Sequence, residues 1–151
     1  MKNLIFFVVV LFVYSCNNAN KLTDITQNET EDVYTVHPGK KLMENQCYAC
    51  HNPTTEHSNR IAPPMIAIKK HYINDKISKD EFIKSMQSWV ENPNKADAKM
   101  YGAVRRFGIM PKAYYKKEDI KLIADYIYDN TIEQPDWFEA HYKQKGRMSG
   151  N

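Results

Sequence analysis

The chain has 151 residues, enough for one ordinary domain and not comfortably for two. Hydrophobic content of 42% and aromatic content of 12% exclude general disorder, and only five glycines speak against an all-β architecture with many tight turns. A net charge of +3 with no long basic stretch is too weak a footprint for nucleic acid, which is not expected as a partner.

The N-terminus reads as a targeting segment. Lys2 precedes Leu4 to Tyr14, an uninterrupted apolar run of eleven residues, about half of what a helix needs to cross a bilayer. Polar Asn17 and Asn18 follow at once, so residues 1–15 read as a secretory signal peptide. The run ends in Val13-Tyr14-Ser15-Cys16, which resembles a bacterial lipoprotein box. That resemblance implies Cys16 as the lipidated first residue of an exported protein, anchored to a periplasm-facing membrane or the cell surface. A soluble secreted product and an uncleaved anchor are the other readings. Residues 16–36 carry Asp24, Glu29, Glu31 and Asp32 without a helical stripe. They read as a flexible tether with a reach on the order of 25 Å.

Cys47-Tyr48-Ala49-Cys50-His51 carries the chemistry. Two thiols three residues apart on a helical turn can add to the two vinyl groups on one side of a porphyrin, and the next residue then lies beneath the ring, where its imidazole reaches iron. A bare C-x-x-C would also suit a redox disulfide or half a zinc site. The first leaves the adjoining His unexplained, and the second lacks a further pair of ligands, since His57 and His71 are not at zinc spacing. Covalent haem c, one per chain, is the expected cofactor, with Cys47 and Cys50 attaching it and His51 as an axial ligand. Assigning Cys16 to lipid leaves none of the three cysteines over.

Helical periodicity dominates the rest. Ser78 and Glu81 form a capping box ahead of a stripe made by Phe82, Ile83, Met86, Trp89 and Val90. That helix should stop at Asn92-Pro93, because a residue before proline disfavours helical geometry. Met100, Ala103, Val104 and Phe107 share one face, and Gly108 is placed to end their helix. Ile120, Ile123, Ala124 and Ile127 make the stripe of another, opened by acidic Glu118 and Asp119. No convincing strand pattern appears, and the expected class is all-α.

With these motifs in hand, residues from about Pro38 to Ile132 resemble the class I cytochrome c fold, a small helical fold wrapped around one covalently bound haem. Gly39-Lys40-Lys41-Leu42-Met43 resembles the family's first helix, whose Gly packs closely on the last. Ala62-Pro63-Pro64-Met65 stands where the family usually has Gly-Pro-x-Leu, with Ala62 departing from the usual Gly. The resemblance implies that the Pro63 carbonyl accepts the His51 Nδ1 hydrogen. Phe107-Gly108-Ile109-Met110-Pro111 resembles the segment that supplies the second axial ligand, and Ile120 to Tyr128 the last helix, ending in an aromatic that packs on the first.

Met110 follows a helix-ending glycine and precedes a proline, in a rigid turn that can present a thioether to iron; a packing methionine is the plainer alternative. His57, His71 and His141 are rivals that read more simply as solvated or partly packed. Residues 37–132 are the expected haem domain and residues 133–151 an extension. In that extension Trp137 and Phe138 cover part of the core, and Lys143 to Asn151 reads as disordered. Eight basic residues between Lys95 and Lys121, against Asp97, Glu118 and Asp119, flank Met110. They suit either an acidic redox partner or a merely solvated face. The expected function is a membrane-anchored electron carrier that turns over no substrate of its own, passing single electrons between redox partner proteins. The alternatives are a haem enzyme or gas sensor with an open sixth position, or the electron-donating subunit of a larger oxidoreductase.

Overall fold

The described residues of this computed structural model are 36–148, with side chains described to position 144. The segment read as a signal peptide, Cys16, and the expected tether as far as residue 35 therefore lie outside them. The described part consists of helices α1 (Pro38–Gln46), α2 (Tyr48–His51), α3 (Met65–Tyr72), α4 (Lys79–Glu91), α5 (Tyr101–Phe107), α6 (Lys117–Asp129) and α7 (Phe138–Met148), with a short 3-10 turn at His57–Asn59. No strand occurs among them, as the periodicity requires, and none of these helices is long and apolar enough to cross a membrane.

Local chemistry sets several boundaries. The Ser78 hydroxyl accepts from Glu81 N while the Glu81 carboxylate accepts from Ser78 N, the reciprocal box that opens α4. That same bonding, the backbone N–H first, holds the Glu81 carboxyl below its ordinary pKa. The helix ends at Glu91, one residue ahead of Asn92-Pro93. Gly108, at φ +81°, ends α5 in a conformation that L side chains rarely adopt. At α1 the cap is His37, whose Nδ1 accepts from Gly39 N, with Pro38 in the first turn. The opposite ring nitrogen of His37 then donates to Asp125 of α6 at 3.2 Å.

The core is one cluster. Met43, Phe82, Ile123 and Ile127 are fully buried, joined by Met65, Met86, Ile120 and Ala124. Each large apolar side chain so enclosed contributes about 1.5–3 kcal/mol. Helix α6 packs on both α1 and α4. At its C-terminal end Lys69 of α3 donates to the carbonyls of Ile127 at 2.6 Å and Asn130 at 2.7 Å, satisfying groups that a helix end leaves unpaired.

Two expectations are corrected here. The aromatic that packs on α1 is Tyr126, whose ring lies 5.4 Å from that of His37, whereas Tyr128 turns to Phe82 at 5.9 Å. Two residues along a helix are about 200° apart, so the two tyrosines face different neighbours. The segment from Lys143 is helical to Met148 and not disordered, because α7 is docked by Phe138, 3% exposed, and by Tyr142 stacked on it at 5.6 Å. Residues 149–151 lie outside the described residues.

The tightest constraint is at Gly39. A Cβ there would stand 2.0 Å from the Leu122 carbonyl oxygen and 2.9 Å from Tyr126 Cβ. Backbone cannot yield as a flexible side chain can, so Gly39→Ala is expected to lower stability by about 3 kcal/mol through overpacking, read as a reduced denaturant midpoint with an unchanged slope.

Candidate haem-binding site

The site begins where α1 ends. Gln46 closes the helix, its amide donating to Asp119 of α6 at 2.8 Å, and Cys47 is the next residue. The amides of Cys50 and His51 both donate to the Cys47 carbonyl, at 3.1 and 2.8 Å. The chain is thereby wound into one turn, with both thiols on it and His51 at its end. Both cysteines are free, Cys47 half-buried and Cys50 exposed. Burial, with Cys50 beside it, pushes the Cys47 thiol up to about 11. That is the reverse of the activated thiolate a redox C-x-x-C needs. Among the described residues no three His, Cys, Asp or Glu side chains converge as a metal site, so a zinc reading finds no further ligands.

His51 is the ordered centre. Its Nδ1 donates to the Pro63 carbonyl at 2.7 Å, which leaves the lone pair on Nε2, the atom an iron ligand must offer. Burial, opposed by that hydrogen bond and aided by the charge of Arg60, lowers the His51 pKa, keeping the imidazole in its neutral, ligating form at pH 7. Two free thiols on one turn, followed by a half-buried neutral imidazole with a fixed tautomer, fit covalent haem. Cys47 and Cys50 would hold it and His51 would ligate its iron.

Met110 is half-buried in the extended segment after Gly108. No hydrogen bond joins it to His51 or the cysteines; Tyr115, five residues later, packs against the core, and its pKa is raised by burial and then by Cys47 and Cys50. The other histidines have partners of their own. Arg106 donates to the His57 ring at 2.6 Å, His141 packs on His57 at 4.6 Å, and His71 Nδ1 bonds to the Ala67 carbonyl at 2.7 Å. A cavity of about 240 Å³ beside Pro63 is lined by Arg60, Ala67, Ala103, Phe107 and Trp137. All eight basic residues between Lys95 and Lys121 are exposed.

Sequence reading missed Arg60. At 7% exposed it is the one buried charged residue among those described. It donates to the carbonyls of Asn52, Thr55 (2.7 Å) and Ala62 (3.2 Å), tying both ends of the loop that connects His51 to Pro63. Asn52 assists from within, its Oδ1 accepting from Thr54 N at 2.8 Å and Thr55 N at 2.9 Å. An arginine in a polar loop belongs to no periodic stripe, so no sequence pattern marks it as buried. Arg60→Ala leaves the Asn52 and Ala62 carbonyls without this donor, while the Thr55 carbonyl keeps the Trp137 indole, and should cost about 3 kcal/mol. Arg60→Lys should recover only part of that, since an ammonium lacks the planar fork; urea titration of the three proteins measures both.

A family model described as Cytochrome c matches residues 36–131, more than half of the chain. No curated protein and no solved structure matches. The matched span runs from the residue before the His37 cap to the end of the α6 region, and takes in the thiol turn, the Pro63 loop and Met110. The chain thus belongs to the cytochrome c family, and its all-α domain is that of a c-type cytochrome, a haem-based electron-transfer protein with covalently attached haem c.

Proposed function

We propose that this protein is a membrane-anchored monohaem carrier, with haem attached at Cys47 and Cys50, iron ligated by His51 and Met110, and lipid on Cys16. The bond from His51 Nδ1 to the Pro63 carbonyl at 2.7 Å carries the reading. It orients a neutral imidazole immediately after the two thiols and raises its basicity as a ligand. The bound haem would supply an iron that exchanges single electrons.

The chain's own residues do the rest. Cys47 and Cys50 prevent loss of the group. His51 and Met110 would both serve as ligands of the haem iron, which would leave no position for a substrate and favour shuttling over turnover. A thioether ligand paired with an imidazole would raise the reduction potential. The exposed lysines and arginines around Met110 steer an acidic redox partner toward that face. Lipid on Cys16 and the acidic tether would hold the domain close to an exported membrane face while letting it swing between partners.

Haem should remain with the polypeptide through denaturing electrophoresis and acid-acetone extraction; complete loss would refute covalent attachment. Reduced wild type should bind carbon monoxide poorly, and Met110→Ala should bind it well while losing the sulfur-to-iron charge-transfer band of the oxidised form. Ready binding by wild type would instead favour an open sixth position and an enzyme or gas sensor.

In its native host the protein should fractionate with membranes and be released by detergent but not by high salt. Cys16→Ser should abolish lipidation and leave haem attachment intact. A mature N-terminus that begins beyond residue 16 without lipid would show a soluble exported carrier.

A further inference from the structure

The loop between His51 and Pro63 is held from outside the family-matched domain. That match ends at residue 131, yet Trp137 donates from its indole Nε1 to the Thr55 carbonyl at 3.2 Å. The same carbonyl accepts from Arg60, whose guanidinium lies 5.5 Å from the centre of the Trp137 ring. The ring of His57, also on the loop, meets Trp137 edge-on at 4.9 Å. Trp137 is only half-buried, so its contacts are not explained by core filling alone; that part is played by its neighbour Phe138, 3% exposed. Arg106 of α5 grips the loop on another side, bonding both the carbonyl and the ring of His57.

The two ends of this loop are the two partners of the 2.7 Å bond. Asn52, whose carbonyl Arg60 engages, follows His51; Ala62, whose carbonyl Arg60 also engages, precedes Pro63. Anything that fixes Arg60 fixes the distance between imidazole and carbonyl. A guanidinium against an indole face is held by cation–π attraction, stronger where water is excluded, and Trp137 shares an acceptor with it. We propose that Trp137 is a positioning residue for the axial histidine: through Arg60 and Thr55, the C-terminal extension sets the His51–Pro63 hydrogen bond and thereby the electron affinity of the haem. The proposal rests on His51 being an iron ligand.

The physical consequence has a sign. A firm Nδ1–H···O bond makes imidazole the stronger donor and favours ferric iron. Loosening it favours the reduced form. Full-length, haem-loaded protein should be titrated at a series of applied potentials as wild type, Trp137→Leu, Trp137→Phe and Phe138→Leu. Replacing a group that directly orients a metal ligand typically changes metal-site properties by 10-fold or more, and a residue one step further out should act less strongly, so Trp137→Leu is expected to raise the reduced-to-oxidised ratio about threefold at fixed potential. Trp137→Phe keeps a ring for Arg60 but loses the indole hydrogen bond, and should give a smaller shift in the same direction. Phe138→Leu should lower the melting temperature without moving the ratio. A ratio unchanged in folded Trp137→Leu, or moved equally by Phe138→Leu, overturns the proposal. If Trp137→Leu does not fold, an unmoved ratio in Trp137→Phe does the same. His51→Met separates the two claims. An unaltered haem spectrum in that variant removes the ligation reading and the proposal with it, whereas an altered spectrum beside unmoved Trp137 variants removes the positioning role alone.

Discussion

At the crossing of α1 and α6 two backbones come so close that only a residue without a side chain fits. The space that a Cβ of Gly39 would need is already filled by the Leu122 carbonyl. Polar contacts pin the crossing at both ends, His37 to Asp125 and Gln46 to Asp119, and this pairing shows the helices running in opposite senses. The haem-binding turn begins at the residue after α1, so where α1 lies on α6 decides where the thiols lie. A helix displaced by one methyl group's width would carry Cys47, Cys50 and His51 with it, because nothing intervenes to absorb the shift. Asp125 also meets Lys79 of α4 at 2.6 Å, and that ammonium, first among its causes, holds the Asp125 carboxyl below its ordinary pKa. Both ions are about one-third exposed, so the pair adds orientation more than stability.

From that turn to Pro63 the chain has no long helix, and a loop normally stays on the surface because its backbone groups need water. This one is kept together by a buried guanidinium that serves three carbonyls at once. Burial, then the charge of Arg106, depresses the Arg60 pKa, yet arginine stays protonated far above neutrality, so the cost of enclosing it is met by hydrogen bonds and not by neutralisation. Its charge also disfavours protonation of His51. One side chain therefore closes the loop and helps keep the imidazole in its ligating form.

Electrostatics divide the molecule's work. Among the described residues a single cation, Arg60, is enclosed, while the cations between Lys95 and Lys121 remain in solvent, where their field reaches outward over about a Debye length, roughly 8 Å at physiological salt. Some are also occupied locally: Lys99 lies over the Tyr72 ring at 4.8 Å and Arg106 is bound to His57. A field summed from several charges does not require each to be free, which is why such a surface can both pack locally and attract a partner at a distance.

The sequence by itself determined helices α4, α5 and α6 and the haem chemistry. Stripes such as Ile120-Ile123-Ala124-Ile127 and the Ser78–Glu81 box depend on neighbours within a turn or two, so they are complete in a local reading, and the spacing Cys47-x-x-Cys50-His51 is a local geometry as well. What the tertiary structure decided involves partners far apart along the chain. The choice of Tyr126 over Tyr128 against α1 follows from the rotation of α6 about its axis, which the crossing at Gly39 sets. The burial of Arg60 depends on three carbonyls gathered by a fold in the loop, and the order of α7 depends on Phe138 entering the core and Tyr142 meeting His71 of α3. Periodicity says which face of a helix is apolar; it cannot say which residue from the other end of the chain will meet a polar side chain in a loop, because that meeting is fixed only when the helices have packed.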